Sequence, residues 1–557
     1  MQKNCKQCTN NFNIFDEDIA FLKAMSEKSQ FKANINLPNL CPECRQQRRM
    51  SFRNERKLYE RKCDITSKKI ISVFPPTSRH KVYDMNYWYS DKVDLLEYGR
   101  EYNFSEPFFV QMQRLLIDGP WPSLRIERSE NCDYNSDISD CANCYLCSRT
   151  HKSTDMLYTY RGSSSTSCTD CYQAMNSELL YESVECIKCY GSNYLFYCTQ
   201  CIESSFLWDC HGCSNCFLST NLRKKQYYFL NEPCTKEQYE EKVKAFMNGS
   251  QSGIQKALEI FQELKKKAIK KNLTISMSEE CSGDNISQSK NCFSCFGVKA
   301  CQDGRYLWDT KDYHDAMDAY SGGRDSELIY EATSTSACWN CKFCMRVTYS
   351  NEVDYSLFCN KCKNCFGCFG LRNKQYCILN KQYTKEEYEA LVPKIIEHMK
   401  STGEWGEFFP SSLSPFGYND TVAHEYYPLT QEQVVRNGWN WSDYESPPPT
   451  VTKFLPAEKL PDNIKDTSEE ILGWAIKCEK SGRPFRITSK ELKFYRQKQL
   501  PIPRLHPDER HRLRFNVRNP LKLRNDRCTK CHQEVITTFQ NGTENIYCET
   551  CYNATMI

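Results

Sequence analysis

Cysteine is the residue type with the clearest chemistry in this chain, which has 36 cysteines among 557 residues. At both ends they occur as Cys-x-x-Cys pairs, and two such pairs supply the four thiolates that tetrahedral zinc prefers. The two expected Zn²⁺ sites are Cys5, Cys8, Cys41 and Cys44, and Cys528, Cys531, Cys548 and Cys551. No apolar export signal is recognisable at Met1, so we expect a cytoplasmic protein with reduced thiols.

The spacing of each group predicts a fold for each end of the chain. Cys41-x-x-Cys44 runs into the basic segment 45–49, and a ligand pair at a helix start combined with the knuckle Cys5-x-x-Cys8 is the plan of a treble clef. The pairs 528–531 and 548–551 have zinc-ribbon spacing, with an expected hairpin turn at Asn541-Gly542.

The two ends also align with each other, as a treble clef followed by a ribbon in each copy. The first copy has lost three ribbon ligands, at Thr66, Asp84 and Tyr87, and the second has Ser481, His506 and Glu509 where the first has cysteines. Three arginines at helical spacing are retained in both copies: Arg45, Arg49 and Arg53, and Arg510, Arg514 and Arg518. They indicate either an exposed phosphate-binding face or pairing with the acidic centre of the chain.

Residues 5–49 resemble a bacterial family described as a probable zinc-ribbon domain, which has a treble-clef fold. The whole chain resembles longer cysteine-rich bacterial proteins with such modules at their ends. The resemblance implies zinc binding and no particular activity, and it covers under a tenth of the chain.

The centre contains a second duplication, because residues 129–245 match residues 278–394 at an offset of 149. Cysteines and short β-favouring pieces recur about every twelve residues, which favours a narrow β-solenoid with Cys and Ser stacked inward. A string of zinc knuckles, or disulfides, stays open for these cysteines. Capping boxes at Thr235–Gln238 and Thr384–Glu387 predict a helix that closes each copy.

These patterns predict a multidomain, β-rich protein with treble-clef and zinc-ribbon modules at both ends of two duplicated small-β or β-solenoid units. The expected divisions are 1–128 for the first module with its degenerate ribbon and aromatic-rich extension, 129–277 and 278–445 for the repeats, 446–470 for a Pro-rich linker, and 471–557 for the last module.

The distribution of charge and the absence of catalytic motifs limit the functions that the sequence allows. The net charge is +4, and basic residues concentrate at 45–69 and 478–527, next to the cysteine modules. No apolar run could span a membrane, and no phosphate-binding or catalytic motif appears, so we expect neither an enzyme nor a small-molecule substrate. Three hypotheses remain: a protein that binds RNA, other nucleic acid or a ribonucleoprotein; a protein–protein scaffold whose basic ends dock on its acidic centre; and a thiol-redox protein.

Overall fold

A computed structural model describes residues 1–556 and shows two compact units. The first unit joins residues 1–124, here called the first end module, to residues 273–444, the second coil stack. The other unit joins residues 125–272, the first coil stack, to residues 445–556, the second end module. Each end module therefore packs on the coil stack that is more distant from it in sequence, an arrangement that the sequence did not predict.

The first end module is built from short hairpins and helices. Strands β1 and β2 form an antiparallel hairpin, as do β3 and β4, and β5 pairs in parallel with β6. The strands are β1 Gln2–Asn4, β2 Asn11–Asn13, β3 Tyr59–Lys62, β4 Lys69–Ser72, β5 Val82–Tyr83 and β6 Trp121–Pro122. The helices are α1 Asp16–Lys28, α2 Pro42–Met50, α3 Met85–Trp88 and α4 Phe108–Asp118, with a 3₁₀ turn at Leu95–Tyr98.

The first coil stack is a parallel ladder with a constant register of twelve residues, as in the pairs Asn193↔Ser205 and Ser205↔Phe217, and it ends in one antiparallel strand pair. Its strands are β7 Ile126–Glu127, β8 Ser136–Ser139, β9 Ser148–His151, β10 Tyr172–Met175, β11 Val184–Ile187, β12 Asn193–Phe196, β13 Ser205–Trp208, β14 Ser214–Thr220, β15 Gln226–Phe229 and β16 Glu232–Pro233. The helices α5 Lys236–Lys244 and α6 Gln251–Lys267 follow, and then β17 Lys270–Lys271.

The backbone of this stack turns at every third residue. Between β11 and β13 the residues with positive φ are Glu185, Lys188, Gly191, Tyr194, Tyr197, Gln200, Glu203 and Phe206. Most are not glycine, and each left-handed residue costs about 1–2 kcal/mol. Inter-coil backbone hydrogen bonds, such as Tyr197 N–H to the Val184 carbonyl at 3.0 Å, offset that cost. Four such corners complete one twelve-residue coil.

The residue after each corner points inward, and small side chains occupy these positions. In two successive coils they are Cys186, Cys189, Ser192 and Leu195, and then Cys198, Cys201, Ser204 and Leu207, all at most 2% exposed. Cys189 donates to the Ile187 carbonyl at 3.5 Å and accepts the N–H of Cys201 at 3.4 Å. Ser204 makes the equivalent bonds to Ile202 and from Cys216. Cysteine and serine are therefore interchangeable here, because both satisfy buried backbone groups.

The second coil stack repeats this register, as in Asn351↔Lys363. Its strands are β18 Ile275–Ser276, β19 Gly283–Ser287, β20 Lys290–Phe293, β21 Cys295–Lys299, β22 Gln302–Arg305, β23 Trp308–Thr335, β24 Trp339–Lys342, β25 Asn351–Asp354, β26 Lys363–Phe366, β27 Gln375–Ile378 and β28 Lys381–Gln382. The helices are α7 Lys385–Ser401, α8 Val422–Tyr426 and α9 Gln431–Arg436, with 3₁₀ turns at Ser411–Leu413 and Tyr418–Asp420. The predicted capping boxes are confirmed at the starts of α5 and α7.

The second end module contains strands β29 Lys453–Pro456, β30 Trp474–Lys477, β31 Pro484–Phe485, β32 Arg524–Arg527, β33 Glu534–Thr537 and β34 Ile546–Tyr547. Its helices are α10 Ser489–Lys498, α11 Pro507–Phe515 and α12 Glu549–Met556, with 3₁₀ turns at Ala457–Lys459, Ile464–Asp466 and Glu469–Gly473. The expected linker 446–470 is not a linker throughout, because β29 pairs with β30.

The prediction of a hairpin turn at Asn541-Gly542 is wrong. β33 pairs back with β32, so the turn of the hairpin contains the first cysteine pair, and the second pair opens α12. The two end modules therefore place their cysteine pairs alike, with one pair in the turn of a hairpin and the other at the start of a helix. No helix among residues 1–556 is long and apolar enough to cross a membrane.

Candidate metal centres and arginine clusters

The first cysteine group lies between the β1–β2 turn and the start of α2. Its four sulfur atoms, from Cys5, Cys8, Cys41 and Cys44, all lie within 4.8 Å of one another. Cys41 is the N-cap of α2, and Pro42 follows it in the first helical turn, where a missing N–H costs nothing. The backbone N–H of Cys41 donates to Cys5 Sγ at 3.3 Å. This group could hold a metal ion.

The second cysteine group has the same construction. The sulfur atoms of Cys528, Cys531, Cys548 and Cys551 also lie within 4.8 Å of one another. The N–H of Cys548 donates to Cys528 Sγ at 3.3 Å, as Cys41 does to Cys5 in the first group. The sequence prediction placed both groups, and the structure brings the members of each together.

One cysteine of each group has a lowered pKa, whereas hydrogen bonds to neighbouring thiols and burial raise the pKa of Cys44 and of Cys551. A hydrogen bond from the Cys44 thiol lowers the pKa of Cys41 to about 5. Burial works against ionisation of Cys528, but the backbone N–H groups of Cys531 and Cys548 lower its pKa to about 6. Because thiolate is the form that ligates metals, the lowered pKa values suit Cys41 and Cys528 to metal binding.

Each end module also contains a place where the internal alignment predicts a metal site that has lost most of its cysteines. At the first, the N–H of Asp84 donates to the remaining Cys63 Sγ at 3.2 Å. At the second, Glu509 stands where the first module has Cys44, and Lys480 approaches it at 3.4 Å, so an ion pair links the knuckle to the helix. Within residues 1–556, neither place brings three metal donors together.

The first two arginines of each triad lie on a helix that begins at or beside one of these sites, and the third lies three residues after the end of that helix. Seven of the nine residues of α2 are buried, although the helix contains three arginines. Arg45 Nε contacts Asp318 Oδ2 at 2.7 Å, and Arg49 contacts Asp318 at 3.1 Å and Glu331 at 2.6 Å. Both carboxylates belong to the second coil stack, so α2 is fixed to it by buried ion pairs.

The second end module docks on the first coil stack in the same way. Arg510 contacts Asp170 at 2.7 Å, and Arg514 contacts Asp170 at 2.9 Å and Glu182 at 2.8 Å. Arg510 and Arg514 are 3% and 2% exposed. Both copies of the duplication therefore use equivalent arginines and equivalent carboxylates to dock the end module on a coil stack.

The third arginine of each triad contacts an equivalent aromatic ring. Arg53 lies over Tyr320 at 6.0 Å and pairs with Glu55 of its own module at 2.6 Å. Arg518 lies over Tyr172 at 4.5 Å and pairs with Glu185 at 3.1 Å. Of the two interpretations of these six arginines, an exposed phosphate-binding face is therefore wrong. The contacts agree with the other interpretation, because most of the arginines pair with acids of the central repeats.

The first arginine of each triad faces a tyrosine that a second acid also holds. Tyr306 donates to Asp18 at 3.1 Å, and Arg45 lies over its ring at 5.3 Å. Tyr158 donates to Glu491 at 2.9 Å, and Arg510 lies over its ring at 4.8 Å. These two contacts were missed from the sequence.

The second copy of this surface contains one extra residue. Glu182 and Glu331 follow the 149-residue offset, but Asp170 and Asp318 are 148 apart. The insertion lies near Gly322 and Gly323, whose φ angles are +120° and +135°. The sequence analysis missed these acids, although they could have been found, because they are retained in both copies like the arginines that they contact.

The central cysteines are free and mostly buried, with Cys234 and Cys281 partly exposed. Among residues 1–556, only the two end groups bring three or more potential metal-ligand atoms within 4.8 Å of one another. In the described chain the central cysteines thus serve as inward side chains rather than as tetrads or disulfides.

Comparison of the chain with protein-family models and with curated proteins found no match. The resemblance of the N-terminal segment to the probable zinc-ribbon family therefore stays a prediction. What the fold defines is a β-rich protein with two four-cysteine groups that could hold metal ions.

Proposed function

We propose that the protein is a non-catalytic, zinc-stabilised scaffold that binds a protein partner. The observation that supports it most strongly is the burial of the six arginines, which fix each end module to a central repeat. Buried arginine–carboxylate pairs hold the folded structure together, since removing one partner of a buried pair leaves an uncompensated charge.

The metal that we assign to both cysteine groups is Zn²⁺. A tetrahedron with Zn–S bonds of about 2.3 Å has edges of about 3.8 Å. The Cys8–Cys41 and Cys531–Cys548 sulfur pairs are both 3.8 Å apart, which fits such a tetrahedron and is far longer than a disulfide. We likewise interpret the twelve-residue coils as β-solenoids.

A protein partner is favoured by exposed apolar side chains on the first coil stack. Ile187, Tyr190 and Ile202 are 39%, 41% and 47% exposed, and Tyr190 and Ile202 are ladder partners in adjacent coils. Apolar side chains clustered at a rigid surface are typical of protein-binding sites.

Nucleic-acid binding loses its main support, because the arginines on which that hypothesis depended are internal. The thiol-redox hypothesis loses support as well, because most central thiols are buried away from reaction partners.

The proposal is tested by zinc content and by salt-dependent RNA binding of the purified chain. We expect two zinc ions per chain and no RNA affinity that falls steeply with salt. Steeply salt-dependent RNA binding would overturn the scaffold proposal. Less than one zinc per chain would overturn the metal assignment.

A further inference from the structure

The first end module contains a cavity at the place where the internal alignment predicts a lost metal site. Thr66, Asp84 and Tyr87, which stand in place of three ribbon cysteines, all line this cavity of about 260 Å³. At the fourth position, the sulfur of Cys63 accepts the Asp84 N–H at 3.2 Å, and the matching bond in the intact cysteine group of the second end module is 3.3 Å. The backbone of a metal site is therefore retained around side chains that cannot form a thiolate tetrad.

Two lysines border the same cavity without a carboxylate partner. Lys68 and Lys92 both line it, and neither forms an ion pair among residues 1–556, whereas the adjacent Lys69 pairs with Glu60 at 2.8 Å. In the second end module the place of Lys68 is taken by Gln533, because the carbonyl of each accepts the N–H of the first cysteine of its hairpin, at 2.8 and 2.9 Å. The positive charge of Lys68 is therefore found only in the copy that has lost its thiolates.

The cavity also contains one carboxylate, that of Asp84. Its Oδ1 accepts the N–H groups of Asn86 and Tyr87 at 3.0 and 3.2 Å at the start of α3, whereas Oδ2 accepts no hydrogen bond from residues 1–556. An ionised carboxylate can only accept hydrogen bonds, so Oδ2 is matched by a ligand that donates a proton. The two ammonium groups require the same ligand to carry negative charge.

We propose that this cavity binds free hydrogen phosphate. Its negatively charged oxygens accept hydrogen bonds from Lys68 and Lys92, and its P–O–H group donates to Asp84 Oδ2. Drug-sized ligands occupy about 300–1,000 Å³, so a cavity of about 260 Å³ suits a small ion with its remaining water. Sulfate and the phosphodiesters of RNA have no proton to donate, and either would place an oxygen against the carboxylate.

The test measures binding of inorganic phosphate and of sulfate to the full-length chain at pH 7.5 by isothermal titration calorimetry. We expect phosphate to bind at least about tenfold more tightly than sulfate, because an oxygen left against a carboxylate makes no hydrogen bond. Glycerol 3-phosphate separates free phosphate from an ester, since its second pKa is about 6 and it should bind as weakly as sulfate. Absence of phosphate binding, equal affinities for phosphate and sulfate, or tighter binding of the ester would overturn the proposal.

Substitutions in and beside the cavity locate the site. Lys68→Gln and Lys92→Gln should each weaken phosphate binding several-fold, and the control Lys69→Gln, whose side chain pairs outside the cavity, should not change it. Asp84→Asn keeps an equally good cap for α3 but replaces an acceptor by a donor, so the affinities for phosphate and sulfate should become similar. An equal loss of binding in the Lys68 and Lys69 variants, or an undiminished preference for phosphate in Asp84→Asn, would contradict binding in this cavity.

Discussion

Cys44 and Cys63 are both buried thiols of the first end module, but only Cys44 has three further sulfur atoms nearby. Cys44→Ser should therefore lower the zinc content by one ion per chain and unfold the segment around α2, because structural zinc contributes folding free energy. The matched variant Cys63→Ser should retain both ions. Zinc content by elemental analysis checks this prediction, and loss of an ion from Cys63→Ser would contradict the assignment.

Arg514 and Arg512 lie on the same helix and differ in burial. The side chain of Arg514 is 2% exposed between Asp170 and Glu182, whereas that of Arg512 is 57% exposed. Arg514→Gln should cost about 3–5 kcal/mol in the free energy of unfolding, because two buried carboxylates lose a partner. Arg512→Gln should cost less than about 1 kcal/mol. Urea denaturation measures both, and similar costs would show that the buried pairs do not hold the module.

At the scale of elements, the two docking helices differ in charge. Arg48 of α2 contacts Glu331, and its equivalent in α11 is Leu513. Burial disfavours ionisation of Glu331, but Arg48 and Arg49 bring its pKa below the usual value. Its counterpart Glu182 has one arginine fewer, and burial together with Asp170 raises its pKa to about 7.

The raised pKa of Glu182 predicts a pH dependence. Between about pH 4.3, the usual pKa of glutamate, and pH 7, the folded state binds more protons than the unfolded state. The free energy of unfolding of this unit should therefore fall as pH rises through that window. Urea midpoints at pH 5.5 and 7.5 measure the effect, and Glu182→Gln should reduce the difference. An unchanged slope in the variant would exclude Glu182 as its source.

The elements also show what sequence can and cannot predict. The helix start at Cys41 and the twelve-residue register followed from spacing alone, because ligand geometry and coil length are local. The burial of α2 did not, since a segment with three arginines is normally exposed and Arg45 meets its partner Asp318 only 273 residues later. Pairing of the arginines with acids of the centre was one of the two interpretations that the sequence left open, but the partner residues and the exchange of modules between the repeats were not predicted.

For the whole molecule, zinc removal should affect the two units differently. In the first unit the four-cysteine group lies at the start of α2, the docking helix itself. In the other unit the Lys480–Glu509 ion pair lies beside α11, and the cysteine group lies at α12. A chelator should therefore expose α2 and leave α11 protected, as hydrogen exchange of residues 42–50 and 507–515 can show. Equal exposure of both helices would contradict this, and added zinc should restore α2.

The exchange of modules between repeats imposes an order on biosynthesis. When α2 is synthesised, the carboxylates that accept Arg45 and Arg49 are still roughly 270–280 residues from being translated. At about 5–20 residues per second, these arginines remain without their partners for roughly 15 to 55 seconds. The first coil stack is completed during that interval, yet its own docking helix, α11, is made only after the second coil stack. Neither unit can close until most of the chain exists, so nascent chains should depend on chaperones longer than their domain sizes suggest.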